Sequence, residues 1–295
     1  MQKTTDWLTL WQELSAAQKR FWDRSHPRQP EQESSAREDC WAAKAKHFDA
    51  MVRKRWARPD SSREHVLEML KRHPHASVLD IGAGTGAWSL LMARHAGRVT
   101  ALEPSAAMRE IMARNARQAG IENVAMVEGG WPETAVQRHD FTLASHSMYG
   151  YTDLETFVRR MEQKTGNTCF LILRLAPEDS LMARIAKRVW GHPHDSPNFQ
   201  VAFNALIQMG IHANVLMETP IHWEPWTHDT IEAAVAEVAA RFDLAQDSPH
   251  LPYIEEMLRA HLTRQEGGYV WPPGTRSALV YWQPDGTGAQ GEPRR

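Results

Sequence analysis

The decapeptide Ser77-Val78-Leu79-Asp80-Ile81-Gly82-Ala83-Gly84-Thr85-Gly86 decides how the rest of the chain is read. Its first half is a short apolar run, Val78, Leu79 and Ile81, interrupted near the end by Asp80. Such a run predicts a strand buried on both faces. Three glycines, Gly82, Gly84 and Gly86, then turn the chain toward a helix expected from about Ala87. Strand, glycine turn and helix open a βαβ unit, where glycine permits positive φ and close approach of a ligand to the backbone. Gly82, Gly84 and Ala87 fit the dinucleotide spacing G-x-G-x-x-G/A only loosely. Asp80 weighs against that ligand, because a carboxylate at the lip of the turn repels a pyrophosphate seeking helix N-terminal N–H groups. The same carboxylate attracts a phosphate-free nucleoside that carries positive charge.

Moving outward, Arg98 to Leu102 reads as a second strand ending at Glu103. An acid about 20 residues beyond the turn is placed to accept hydrogen bonds from ribose hydroxyls. VLDIGAGTG followed by VTALEPS resembles the class I S-adenosylmethionine-dependent methyltransferases of the small-molecule branch. The likeness is specific over about 77–147, weaker to 175, and only a pattern beyond. It implies an α/β, Rossmann-like, mostly parallel seven-stranded sheet in the order 3-2-1-4-5-7-6, the seventh strand antiparallel. It also implies S-adenosyl-L-methionine as cofactor, held by Asp80, Gly82, Ala83, Gly84, Gly86 and Glu103, with Ser145 at the end of the fourth strand. Pro104 and Met108 stand where the family sandwiches the adenine, and Gly130 or Trp131 where its amino group is read. The usual Asp-Ala pair of that last loop is absent here.

Composition bounds the remaining possibilities. The chain has 295 residues, 42% of them hydrophobic, and a net charge of −2. That is enough apolar content for a core, and near-neutral charge gives no reason to expect a nucleic-acid partner. Cys40 and Cys169 are the only cysteines, so no disulfide framework is expected, and a reduced, cytoplasmic setting follows. No apolar run approaches the ~18 residues of a membrane span. The expected partner is a small-molecule substrate, with no membrane and with a homo-oligomer left open.

Along the chain, residues 1–72 read as an N-terminal helical cap: helices over about 5–24 and 36–57, a polar linker over 26–35, and a third helix opened by a Ser61-x-x-Glu64 capping box. The methyltransferase-like domain is expected over 73–283, with helical lid inserts at about 178–200 and 222–272, and a Gly/Pro-rich flexible tail over 284–295. A further capping box, Thr152-x-x-Glu155, precedes a helix; strands are expected at 123–127, 141–145, 168–175, 213–219 and 277–282. Asp229 is placed to cap a late helix, another helix is expected from about Tyr253 to Gln265, and EGGYVWPPGT is read as loop. Tryptophan is concentrated in the segments flanking the sheet: Trp7, Trp11, Trp22, Trp41 and Trp56 precede the glycine turn, and Trp190, Trp223, Trp226 and Trp271 lie in the inserts.

The fourth strand ends in ASHSMYGY, the position that faces the methyl group in the family. The [DNS]-P-P-[YF] motif of adenine- and amide-nitrogen methyltransferases is missing there, which counts against those acceptors. His146 is the residue placed as general base, since a histidine titrates near neutrality and a hydroxyl or protonated amine must lose its proton. Trp41, Tyr149, Tyr151, His192 and His194 are the expected substrate-lining residues. His192, His194 and Asp195 form too small a set for a metal, and none is expected. The leading expectation is therefore an enzyme that methylates a small molecule under a Trp-rich cap. A non-catalytic cofactor binder, a protein methyltransferase and a nicotinamide oxidoreductase are the alternatives.

Overall fold

A computed structural model describes residues 5–25, 39, 41–219 and 223–284. The expected 26–35 linker, Cys40, His222 and the tail beyond residue 284 lie outside the described residues. The sheet forms around β1 (Ser77–Ile81), all five residues of which are buried. Val78, Leu79 and Ile81 are each at most 1% exposed; burying side chains of this size contributes about 1.5–3 kcal/mol each. β1 pairs in parallel with β2 (Arg98–Glu103) and β4 (His139–Ser145). β3 (Val124–Glu128) adds beyond β2, and β5 (Thr165–Leu175) beyond β4. The last strand, β10 (Arg276–Trp282), inserts antiparallel between β5 and β6 (Asn214–Met217). The order β3-β2-β1-β4-β5-β10-β6 is the 3-2-1-4-5-7-6 order expected from the resemblance.

Helices cover both faces, as a buried parallel sheet requires. On one face α6 (Leu154–Lys164) and α8 (Phe199–Gln208) pack with α1 (Trp7–Ser25), burying Trp11, Phe157 and Leu206. On the other, α3 (Ser61–Lys71) and α4 (Ala87–Ala93) bury Val66, Leu70 and Met92 against Phe141 and Phe170. The N-terminal helices are thus dealt out to different partners: α1 packs on α8, α2 (Ala45–Trp56) on α5 (Ala106–Ala119), and α3 beside β6. Only α2 lies over the glycine turn.

The two inserts come together as one satellite core. Leu181 and Ile185 of α7 (Leu181–Trp190) pack with Ile231 and Val238 of α9 (Ile231–Arg241), Ile254 and Leu258 of α10 (Leu251–His261), and Trp271. A small antiparallel sheet edges this lid: β7 (Thr227–His228), β9 (Gly268–Val270) and β8 (Thr263–Gln265). The sequence reading expected a helix through Gln265 and then a loop; strands of two or three residues are too short to carry an alternation that reveals them. Three helix starts also shift by one residue. Asp60, Asp153 and Thr230 accept the capping N–H of Arg63, Thr156 and Ala233, in place of Ser61, Thr152 and Asp229. In the first two, aspartate outcompetes the neighbouring hydroxyl as N-cap.

Candidate active site

The turn after β1 is held from below. The N–H groups of Gly82 and Ala83 both donate to the Leu102 carbonyl, at 2.8 and 3.0 Å. Gly82 has φ +71°, and a Cβ there would sit 2.4 Å from the Ser147 Cβ, so the loop after β4 presses directly on the turn. Gly86, φ +88°, packs in the same way on Met112 of α5. Glu103 closes the turn from the side: its Oε2 accepts the Gly84 N–H at 2.8 Å and its Oε1 the Ser105 N–H at 2.9 Å. It is 5% exposed, and burial raises its carboxyl above the usual range against these two amide bonds.

Asp80 lies deeper than its place in the sequence implies. Its Oδ2 accepts the Ser89 hydroxyl at 2.6 Å, and it is 2% exposed. Burial, with the nearby Glu103 charge adding to it, raises its carboxyl from 3.8 to about 7. The side chain therefore acts on the turn through its field from beneath. An elevated carboxyl means the folded chain holds this proton more tightly than the unfolded chain between those two values. Asp80 thus removes stability as pH rises from about 4 to about 7. In Asp80→Asn that decline is expected to be shallower, as urea midpoints measured across the range will read.

Helix α2 roofs the turn. The ring of Phe48 lies 3.5 Å from where a Gly84 Cβ would be, and Trp41 meets Phe48 edge-on at 5.4 Å. These rings close over a small core of Ala45, Met108 and Ile111. Met108 and Trp41 thus stand together beside the glycine turn, although Trp41 is expected from the sequence to line the substrate. Asp39 fixes the segment by accepting the Ser105 hydroxyl at 2.7 Å and the Ala107 N–H at 2.9 Å. Pro104 is exposed beside Glu103, and its carbonyl accepts Arg109 at 2.8 Å. The Trp131 indole points into the core, donating to the Phe157 carbonyl at 3.1 Å, so its side chain is not available to a ligand beyond β3.

At the carboxyl end of β4 the side chains form one directed hydrogen-bond chain. The Tyr149 hydroxyl accepts the Arg174 backbone N–H, so its own proton goes to His146 Nδ1, 2.9 Å away. His146 then carries its proton on Nε2, facing Ser277 Oγ at 3.3 Å. Ser277 Oγ also accepts the Trp223 indole N–H at 3.2 Å, and its hydroxyl turns to Glu218. His146 adopts φ +56°, uncommon for a side chain of this size. Burial first, then the Arg55 and Arg174 charges, hold its ring far below the usual histidine range, so it is neutral. Trp223 stands edge-on to it at 5.3 Å, and Trp11 is tilted 6.4 Å from Tyr149.

The other expected substrate residues divide. Tyr151 joins the Trp11 side: its carbonyl accepts the Trp11 indole at 2.8 Å, and its hydroxyl donates to Glu133 at 2.6 Å. His192 and His194 sit beside Trp190 and Trp7, away from this chain. Their loop reaches the site through Asp195 instead, which pairs with Arg174 at 3.2 Å. Among the described residues no cluster of His, Cys, Asp or Glu could hold a metal. Arg55, Arg174, Glu218 and Ser277 adjoin this chain and were not singled out from the sequence, whereas Trp223 was named there only among the tryptophans of the inserts. Of those four, Arg174 left a trace, a charge near the end of the apolar strand LILRL, as Asp80 stands near the end of its own.

The donor set fits an S-adenosyl nucleoside. Glu103 borders the turn and Asp80 lies beneath it, and neither carboxylate makes an ion pair within 4.0 Å among the described residues. That arrangement opposes a pyrophosphate and suits a ribose diol on a cationic ligand. Residues 78–165 match the family profile described as "Methyltransferase domain". A release factor glutamine methyltransferase from Xylella fastidiosa is 36% identical over 113 residues, covering 36% of this chain and 41% of that protein. An uncharacterized protein from Haemophilus influenzae is 24% identical over 160 residues, covering 54% of this chain and 59% of the relative. The chain therefore spans about half the length of the curated relatives it matches. Among solved structures, the YcgJ protein of Bacillus subtilis aligns over 74% of this chain and 98% of its own at 17% identity, with a TM-score of 0.47. A geranyl diphosphate C-methyltransferase from Streptomyces coelicolor aligns over 75% and 78% at 14% identity, with a TM-score of 0.43. Residues 78–165, which run from β1 to the start of β5 and carry the glycine turn and Glu103, are thus similar to a methyltransferase domain.

Proposed function

We propose that the chain transfers a methyl group from S-adenosylmethionine to a small-molecule acceptor at the carboxyl end of β4. The observation that carries this is the closed polar chain Tyr149–His146–Ser277, buried between Trp11 and Trp223 and joined to the turn by the Ser147–Gly82 contact. The bound cofactor supplies an electrophilic methyl group on a sulfonium. Glu103 holds the ribose, and Phe48, Trp41 and Met108 enclose the base. The protein's main task is then to align acceptor and methyl and to exclude water, which orientation in a dry site achieves. A hydroxyl acceptor can pass its proton to Tyr149 as Tyr149 gives its own to His146 Nδ1. The burial that keeps His146 neutral also makes it a weak base, so alignment carries most of the rate.

Protein methylation is the second reading, since one relative is named for a release factor glutamine. Against it, Ser145-His146-Ser147-Met148 stands where amide-nitrogen enzymes carry the Asn-Pro-Pro-Tyr type of motif. Calorimetry is expected to give micromolar S-adenosylhomocysteine binding, and tritiated methyl transfer in a cell extract to label the low-molecular-weight filtrate. Label confined to macromolecules would overturn the small-molecule reading.

A further inference from the structure

The arginines around the methyl end are consumed by partners, with one exception. Arg53 pairs with Asp49 at 2.9 Å, Arg63 with Asp60 at 2.5 Å, and Arg174 with Asp195 at 3.2 Å. Arg55, on the same helix α2 as Phe48, makes no hydrogen bond through its guanidinium and no ion pair within 4.0 Å among the described residues. Its guanidinium instead lies over the Trp223 ring, 4.9 Å from the centroid. Trp223 is the residue set edge-on to His146 and bonded to Ser277. Arg55 is therefore carried by α2 to the Trp223 ring beside His146, with five N–H donors unspent. Arg55 is half-buried, and a guanidinium partly withdrawn from water without hydrogen bonds is costly to leave so. The negative groups nearest it, Glu218 and Asp60, act at longer range; Asp60 is bonded to Arg63 and Glu218 to Ser277.

We propose that Arg55 is the anchor for a carboxylate on the methyl acceptor, making the substrate an organic acid whose apolar body lies against Trp223. This rests on the methyl-transfer reading above and adds to it the charge of the substrate. A planar fork of N–H donors matches a carboxylate in two parallel bonds, and stacking on an indole fixes the fork's orientation in advance. The aromatic wall accounts for the body of the ligand, and the arginine for its head. A carboxylate also occurs on the cofactor's methionine end, so the test must separate the two sources.

The full chain saturated with S-adenosylhomocysteine is titrated calorimetrically with acetate, benzoate and indole-3-acetate, each beside its neutral amide. At least one carboxylate is expected to bind tenfold or more tightly than its amide. Arg55→Gln is expected to abolish that preference while changing S-adenosylhomocysteine affinity less than twofold, and Arg55→Lys to keep part of it. The proposal is overturned by an equal response to acids and amides in the wild type, or by a preference that survives in Arg55→Gln. A loss of S-adenosylhomocysteine binding in Arg55→Gln also overturns it, assigning the arginine to the cofactor's carboxylate. Should the wild type fail to bind S-adenosylhomocysteine at all, the methyl-transfer reading fails first and takes this one with it.

Discussion

Glu103→Ala is expected to lower S-adenosylmethionine affinity by about a hundredfold or more, read by calorimetry. Hydrogen bonds to a charged group are worth about 1.5–3 kcal/mol each, and a ribose diol offers two. The same carboxylate already accepts the Gly84 and Ser105 N–H groups, so its loss also strands two amides of the turn. Each stranded amide that stays away from water costs about 1–3 kcal/mol. Glu103→Gln separates the two effects. Its amide oxygen keeps one acceptor but its NH2 cannot accept the second amide, so partial retention of both stability and affinity is expected. Unchanged affinity in the alanine variant would remove the site assignment.

Gly82→Ala is expected to destabilise the fold by about 3 kcal/mol in urea unfolding and to abolish methyl transfer. A left-handed backbone costs a non-glycine residue about 1–2 kcal/mol, and overpacking adds about 1–3. At Gly82 the new methyl meets the Ser147 Cβ at 2.4 Å, which must yield and carry His146 with it. Gly84→Ala is the control in the same turn. Its φ is +56°, but the nearest atom is Phe48 Cε1 at 3.5 Å, an ordinary contact. Only the conformational cost remains there, about 1 kcal/mol. Equal losses at both positions would mean that the pressure of the β4 loop on the turn has no consequence.

The βα frame was legible because its signals are local and repeated. Val78, Leu79 and Ile81 are apolar and buried, Gly120 at φ +63° ends α5 as a C-terminal glycine should, and Leu154, Phe157, Val158 and Met161 repeat at helical spacing. Depth was not legible. Asp80 reads as a charge at a lip, and only the packing of α4 shows it bonded to Ser89 below the turn. Trp131 likewise reads as a cleft residue by its place after β3, while its indole finds a carbonyl of α6. The methyl end was half legible. His146 and Tyr149 follow β4 in sequence, but Ser277 and Trp223 arrive from the far end of the chain. Arg55 sits in the run Arg53-Lys54-Arg55, which reads as a solvated helix face until its neighbours are seen to be paired or exposed.

The insertion of β10 between β5 and β6 has a bearing on synthesis. A ribosome that has delivered the chain only as far as Trp271 has already released the glycine turn, Glu103 and the roof of α2. It has not released Ser277, whose backbone and hydroxyl tie Glu218, Trp223 and His146 into one wall. A nascent polypeptide can therefore complete the glycine turn and its roof before the wall at the carboxyl end of β4 exists. The wall that joins Tyr149, His146 and Ser277 therefore waits for β10 to thread into the sheet.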